Sequence, residues 1–171
     1  MLREIVLFWG MVAMVHRMLV THFAVINEGS PTPDRALVIK DATIAQAFYS
    51  RLAQGTTDHY RFELPPNTLL VMSMLVPERF LADGFCPLIT LYGPGLPSEG
   101  FTPEQGDRGR RDGSTSYQRI QREQLTLDGG RYRITIQGTG AGVYCFCIGN
   151  RESDEPADPE TKARVQVLLA S

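Results

Sequence analysis

The chain has 171 residues and a formal net charge of −2. Its pI is 5.9, which excludes a generally basic nucleic-acid-binding surface. With 43% hydrophobic residues it has material for one real core of ordinary domain size.

In chain order, the first feature is an apolar stretch over residues 5–26, interrupted by His16, Arg17, Thr21 and His22. As a helix its 22 residues span about 33 Å, enough for a hydrocarbon core of roughly 30 Å. A secretory signal wants a small-x-small cleavage site, and none precedes Asn27. A lipoprotein signal needs a cysteine, and the first is Cys86. The expectation is therefore a retained transmembrane helix over residues 1–26, followed by a linker over 27–35 and a β-domain over 36–171. Arg17 is the thirteenth residue of the span, near the bilayer midplane, where arginine costs about 2.5–3.5 kcal/mol. At 100° per residue, Arg3, Gly10, Arg17 and Thr21 share a stripe about 40° wide, suited to packing against partner helices. The alternative is an interfacial or protein-buried helix, with Arg17 at the membrane surface. His16 and His22 are candidate ligands for haem or a chlorophyll-type pigment, or simply hydrogen-bond a neighbour.

Asn27-Glu-Gly-Ser-Pro-Thr-Pro33 breaks the helix. Beyond it apolar residues recur with period two. Tyr60, Phe62 and Leu64 share one face against Arg61 and Glu63, and Tyr132, Ile134 and Ile136 oppose Arg131 and Arg133. Residues 69–76 and 143–148 are apolar on both faces, which predicts central strands or a covered surface. Further strand candidates lie at 36–40, 44–52, 87–92, 116–127 and 164–169, separated by turn sequences such as Pro65-Pro66-Asn67 and Asp128-Gly129-Gly130. The pattern predicts an all-β antiparallel sandwich, jelly-roll-like, of eight to ten strands behind one N-terminal transmembrane α-helix. Two charge runs are expected as solvated loops: five arginines within 107–122 and five acids within 151–162.

Three stretches carry a resemblance. Gly55-Thr-Thr-Asp-His-Tyr-Arg-Phe-Glu-Leu-Pro-Pro-Asn-Thr68 resembles the D-x-Y-x-F-x-x-P-x-G-T opening of bacterial pre-peptidase C-terminal-type domains. Leu125-Thr-Leu-Asp-Gly-Gly-Arg-Tyr-Arg-Ile-Thr-Ile136 is similar to their late strand pair, and Gly140-Ala-Gly-Val-Tyr-Cys-Phe-Cys-Ile148 to their closing strand. The resemblance covers residues 43–149 and implies an extracytoplasmic jelly-roll sandwich of a kind found beside secreted enzymes, some members binding carbohydrate or matrix polymers. No protease domain accompanies it here.

Chemical sites are thin. His59 is the one histidine beyond the apolar stretch, and its outward parity in the strand makes it a surface residue rather than the base of a Ser/His/Asp triad. Asp83, Asp107 and Asp112 lie in expected loops without the alternating oxygen spacing of a calcium site. Neither a metal nor a cofactor is expected, and the chain reads as a non-enzyme. Cys145 and Cys147 point to one face of a strand. The three cysteines are either buried small side chains or a disulfide from Cys86 to one of that pair.

Two functions are open. One is a non-catalytic accessory subunit of a membrane complex, photosynthetic or respiratory, docked by the helix and by a sandwich outside the cytoplasmic membrane. Its partners are then other subunits and the lipid bilayer, with no nucleic acid. The other is an anchored extracellular module for glycan or another polymer, with Tyr49, Tyr92 and Tyr117 available to stack on sugars.

Overall fold

The computed structural model describes residues 22–112 and 115–171. Ten strands form two sheets: β1 (Phe23–Ile26), β2 (Leu37–Val38), β3 (Gln46–Leu52), β4 (Thr57–Leu64), β5 (Thr68–Pro77), β6 (Cys86–Tyr92), β7 (Gln105–Asp112), β8 (Thr115–Leu127), β9 (Gly130–Thr139) and β10 (Gly142–Ile148). Sheet A has the order β1-β3-β10-β5-β8-β7 and sheet B the order β2-β4-β9-β6. All neighbours are antiparallel except β1 with β3 and β2 with β4. The protein is an all-β sandwich.

The alternating strands behave as their period dictates. Tyr60, Phe62, Leu64, Tyr132, Ile134 and Ile136 are all buried, while Arg61, Arg131 and Arg133 are exposed. The core closes through aromatic edges between the sheets: Tyr60 of sheet B meets Phe146 and Phe48 of sheet A at centroid distances of 5.3 and 5.4 Å. Gln121 of β8 crosses to β6, where its Oε1 accepts the Ile89 amide at 2.7 Å and its Nε2 donates to Pro103 O at 3.0 Å. The doubly apolar strand β10 is buried along its whole length, because it lies inside sheet A with both faces covered.

Four expectations need correction. Residues 23–26, assigned to the end of the apolar helix, form β1, which pairs with β3 from Phe23↔Gln46 to Ile26↔Tyr49. Edge pairing with Ala47 and Phe48 buries these side chains partly against the core, an outcome open to any short β-branched and aromatic run. The rest of the expected helix, including Arg3, Gly10, His16, Arg17 and Thr21, lies outside the described residues. Second, the expected linker is tied to the sandwich at two points, with Asn27 and Ser30 buried and its other residues exposed.

Third, residues 164–169 are not a strand but part of helix α2 (Pro159–Ala170). Asp158 caps it by accepting the Glu160 and Thr161 amides at 3.1 and 3.0 Å, and Pro159 fits the first turn. Fourth, the arginine run is not a loop but the β7–β8 hairpin. A second short helix, α1 (Glu78–Ala82), carries buried Phe80.

α2 covers the outer face of sheet A. Val165 and Leu169 are buried, and Arg51, on the outer face of β3, donates to Leu168 O at 3.4 Å. Arg79, stacked 4.2 Å over Phe80, donates to Leu169 O. Cationic groups at the last carbonyls of a helix complement its dipole. The outer face of sheet A is thus covered by α2 around β3 and β10, while Leu69 on β5 and Gln124 on β8 remain exposed.

Candidate functional site

Two polar constellations stand out, one inside the sandwich and one on it. The inner one is built on Asp58, which is 3% exposed. Its Oδ2 accepts Ser50 Oγ and Tyr144 OH, each at 2.7 Å, and its Oδ1 accepts the Ser30 amide at 3.0 Å. Tyr144 and Tyr60 share a hydroxyl contact of 2.8 Å, and Asn27 Nδ2 donates to Tyr60 OH at 3.0 Å and Ser30 Oγ at 2.9 Å. Burial pushes the phenols of Tyr60 and Tyr144 above their ordinary range. Each member is satisfied and none is open to a substrate, so the network ties residues 27–30 to the core. Sequence reading missed it, although the signal was there: Asp58 shares inward parity with Tyr60, Phe62 and Leu64.

The same parity separates a possible triad. Ser50 and Asp58 meet in the core, but His59, the next residue, turns to the opposite face of sheet B and is half-buried there. Among the described residues, no nucleophile, base and orienter are assembled.

The outer constellation is a single rung across sheet B. Tyr92 on β6 is opposite Arg133 on β9, which is opposite Arg61 on β4, which is opposite Val38 on β2. Neighbouring strands lie about 4.8 Å apart, so the rung runs about 14 Å. Arg131 stands two residues along from Arg133 on the same face, opposite Glu63. Arg133 Cζ lies 4.5 Å over the Tyr92 ring. Gly100, at φ +89°, lets the chain pass behind that ring; a Cβ there would meet Tyr92 Cε1 at 2.7 Å. The described ion pairs are Arg151–Asp41 and Arg164–Glu28, neither on this face. Among the described residues the side chains of Arg61, Arg131 and Arg133 make no hydrogen bond.

Two clefts flank Arg131. One, of about 410 Å³, is lined by Tyr92, Leu96, Pro97, Ser98, Arg131 and Arg133. The other, of about 440 Å³, is lined by Val38, Lys40, Arg61, Glu63 and Arg131. His59 sits on the next rung, opposite Thr135. Burial holds its imidazole below the ordinary range; Asp58 opposes this and Arg133 reinforces it.

The remaining sequence candidates are dispersed. His22 is half-buried immediately ahead of β1 rather than within a helix. Tyr49 and Tyr117 are buried at 8% and 3% exposure and are not available to stack on sugars; Tyr92 is half-exposed. The Cys145 and Cys147 sulfurs lie 3.7 Å apart on the outer face of sheet A, too far for an S–S bond of about 2.05 Å. Cys86 belongs to sheet B, half-buried, its Sγ 4.0 Å from Gln105 Oε1. A disulfide from Cys86 to either is ruled out in this fold by the sandwich between them. Among the described residues no three His, Cys, Asp or Glu side chains gather as a metal site.

No family model and no curated protein sequence matches this chain. Among solved structures, the chain is similar to the pre-peptidase C-terminal domain of collagenase from Bacillus anthracis, at 17% identity over 66% of this chain and 93% of that one, with a TM-score of 0.43. It is similar to PliG of Salmonella Typhimurium, a periplasmic inhibitor of g-type lysozyme, at 15% identity over 67% and 96%, with a TM-score of 0.41. A mutant of the Escherichia coli PliG aligns at 13% identity over 75% and 98%, with a TM-score of 0.39. What the chain shares with them is a β-sandwich. No functional residue carries over from any of the three.

Proposed function

We propose that this protein is a non-catalytic binding module that uses the outer face of sheet B to hold an anionic partner. The observation that carries the reading is the Arg61–Arg133 pair. Two like charges directly opposite each other in an antiparallel ladder destabilise the sheet, and Arg131 adds a third on the same face. In a chain of net charge −2, only Glu63 lies across from these arginines, and it forms no ion pair with them among the described contacts. The Tyr92 ring offsets part of the charge on Arg133; a bound anion relieves the rest, and guanidinium pairs are suited to carboxylate, sulfate or phosphate oxygens. The apolar N-terminal residues serve, in this reading, as a tether. The accessory-subunit alternative rests on residues 1–21, which lie outside the described part.

Retention of the full chain on immobilised dextran sulfate tests the proposal. The native protein should be retained and elute at higher salt than an Arg61→Gln/Arg133→Gln variant, whereas an Arg151→Gln/Arg164→Gln control should elute with the native protein. Equal elution of all three would remove the face from the account.

A further inference from the structure

We infer that the anion suited to this face is a carboxylate carried on a sugar ring, as in a uronate-containing polysaccharide. The inference rests on the anion-binding reading above and deepens it. The cleft beside Arg133 is mixed in its chemistry: Arg131 and Arg133 line it together with Tyr92, Leu96 and Pro97. A bare phosphate or sulfate needs only the guanidinium edge and leaves the apolar wall unused. A pyranose ring uses both, since its C–H face packs on apolar carbon while its carboxylate and hydroxyls reach the polar side. The volume of about 410 Å³ falls within the range of ligand clefts, about 300–1,000 Å³.

The site is also held in shape. Tyr132 lies beneath the cleft, its hydroxyl donating to Asp128 O at 2.9 Å and lying 3.1 Å from Pro94 O, so the turn after β6 is pinned to β9. Gly93 permits this packing, because a Cβ there would strike Tyr132 Cδ1 at 2.2 Å. Tyr92 fixes Arg133 from one side, and the side chain's N–H groups have no partner among the described residues. That leaves an exposed guanidinium, held by Tyr92, beside a partly apolar cleft.

The second cleft extends the argument from one ring to a chain. It shares Arg131 with the first and adds Lys40 and Arg61. Arg131 and Arg133 stand two residues apart on β9, and Arg61 lies across from Arg133 on β4, so a polysaccharide with a carboxylate on each ring has more than one guanidinium to meet on this face.

Calorimetric titration of the full chain in detergent with a galacturonate hexamer, its methyl ester and inorganic polyphosphate, an anionic chain without sugar rings, tests the inference. The hexamer should bind saturably, the neutral ester at least tenfold more weakly, and Tyr92→Leu and Arg133→Gln should each weaken hexamer binding tenfold or more without moving the melting temperature. Leu96→Ser should weaken the hexamer and leave polyphosphate unchanged, a response that charge alone does not give. Equal binding of hexamer and ester overturns carboxylate recognition. Binding of polyphosphate without the hexamer overturns the sugar-ring assignment while leaving the anion face intact, and binding of none of the three overturns both.

Discussion

Ile134 and Arg133 are adjacent residues of one strand with opposite fates. Ile134 is fully buried between the sheets and Arg133 is exposed. Ile134→Ala should cost about 2–5 kcal/mol through lost burial and the cavity left behind. Arg133→Ala should stay within about 0.5 kcal/mol and, by removing the repulsion with Arg61, fall on the stabilising side. Urea unfolding of the two variants measures the contrast, and equal losses would mean the register is wrong. Asp58 makes a harsher case. Asp58→Ala strands the Ser50 and Tyr144 hydroxyls and the Ser30 amide in the core, at about 1–3 kcal/mol for each unsatisfied buried group. It should lower stability by more than about 3 kcal/mol and loosen residues 27–30, read as faster amide exchange there. His59 supplies a pH test. Its folded pKa lies below the unfolded value, so its neutral form is favoured by folding; the stability this contributes is present above the unfolded pKa and falls as pH drops toward the folded one. An anion on the neighbouring rung favours the imidazolium and raises that pKa. Affinity for a polyanion should therefore increase as pH falls from 7 through the His59 titration, and His59→Gln should flatten the profile.

At the scale of elements, strands with strict alternation were legible, because period two leaves one buried set and no competing reading. β4 and β9 show this, and β10 shows the other limit, a strand apolar on both faces that had to be interior. The element misread is α2. Val165, Val167 and Leu169 alternate like a strand, and Val167 indeed remains 70% exposed. The capping residues settle the outcome: Asp158 and Pro159 start a helix. Asp158→Ala should destabilise α2 by about 0.5–2 kcal/mol, visible as earlier loss of helical ellipticity and as proteolysis near residue 158 before the sandwich opens. The arginine-rich hairpin was misread for a different reason. Charge density suggests solvent, but a strand at the edge of a sheet is also solvated, and charge there blocks edge-to-edge pairing. The site itself was legible residue by residue, since Arg61, Arg131 and Arg133 were all expected outside. What period two cannot give is register between strands, and it is register that puts Arg61 opposite Arg133 and Tyr92 beside them.

For the whole molecule, residues 23–26 belong to the sandwich as strand β1 and not to an apolar helix. Among the described residues no helix is long and apolar enough to cross a membrane. The sandwich is asymmetric: α2 packs on part of the outer face of sheet A, burying Val165 and Leu169, whereas sheet B presents the Tyr92–Arg133–Arg61–Val38 rung. That asymmetry is the basis for assigning binding to one face. Amide chemical-shift mapping of the isotope-labelled full chain during titration with an anionic oligosaccharide tests it most directly. The account predicts that shifts gather on the outer rungs of β4, β6 and β9, around residues 59–63, 90–92 and 131–135, and disappear in the Arg61→Gln/Arg133→Gln variant. Shifts concentrated instead on the arginine-rich β7–β8 hairpin, or spread over α2, would contradict it.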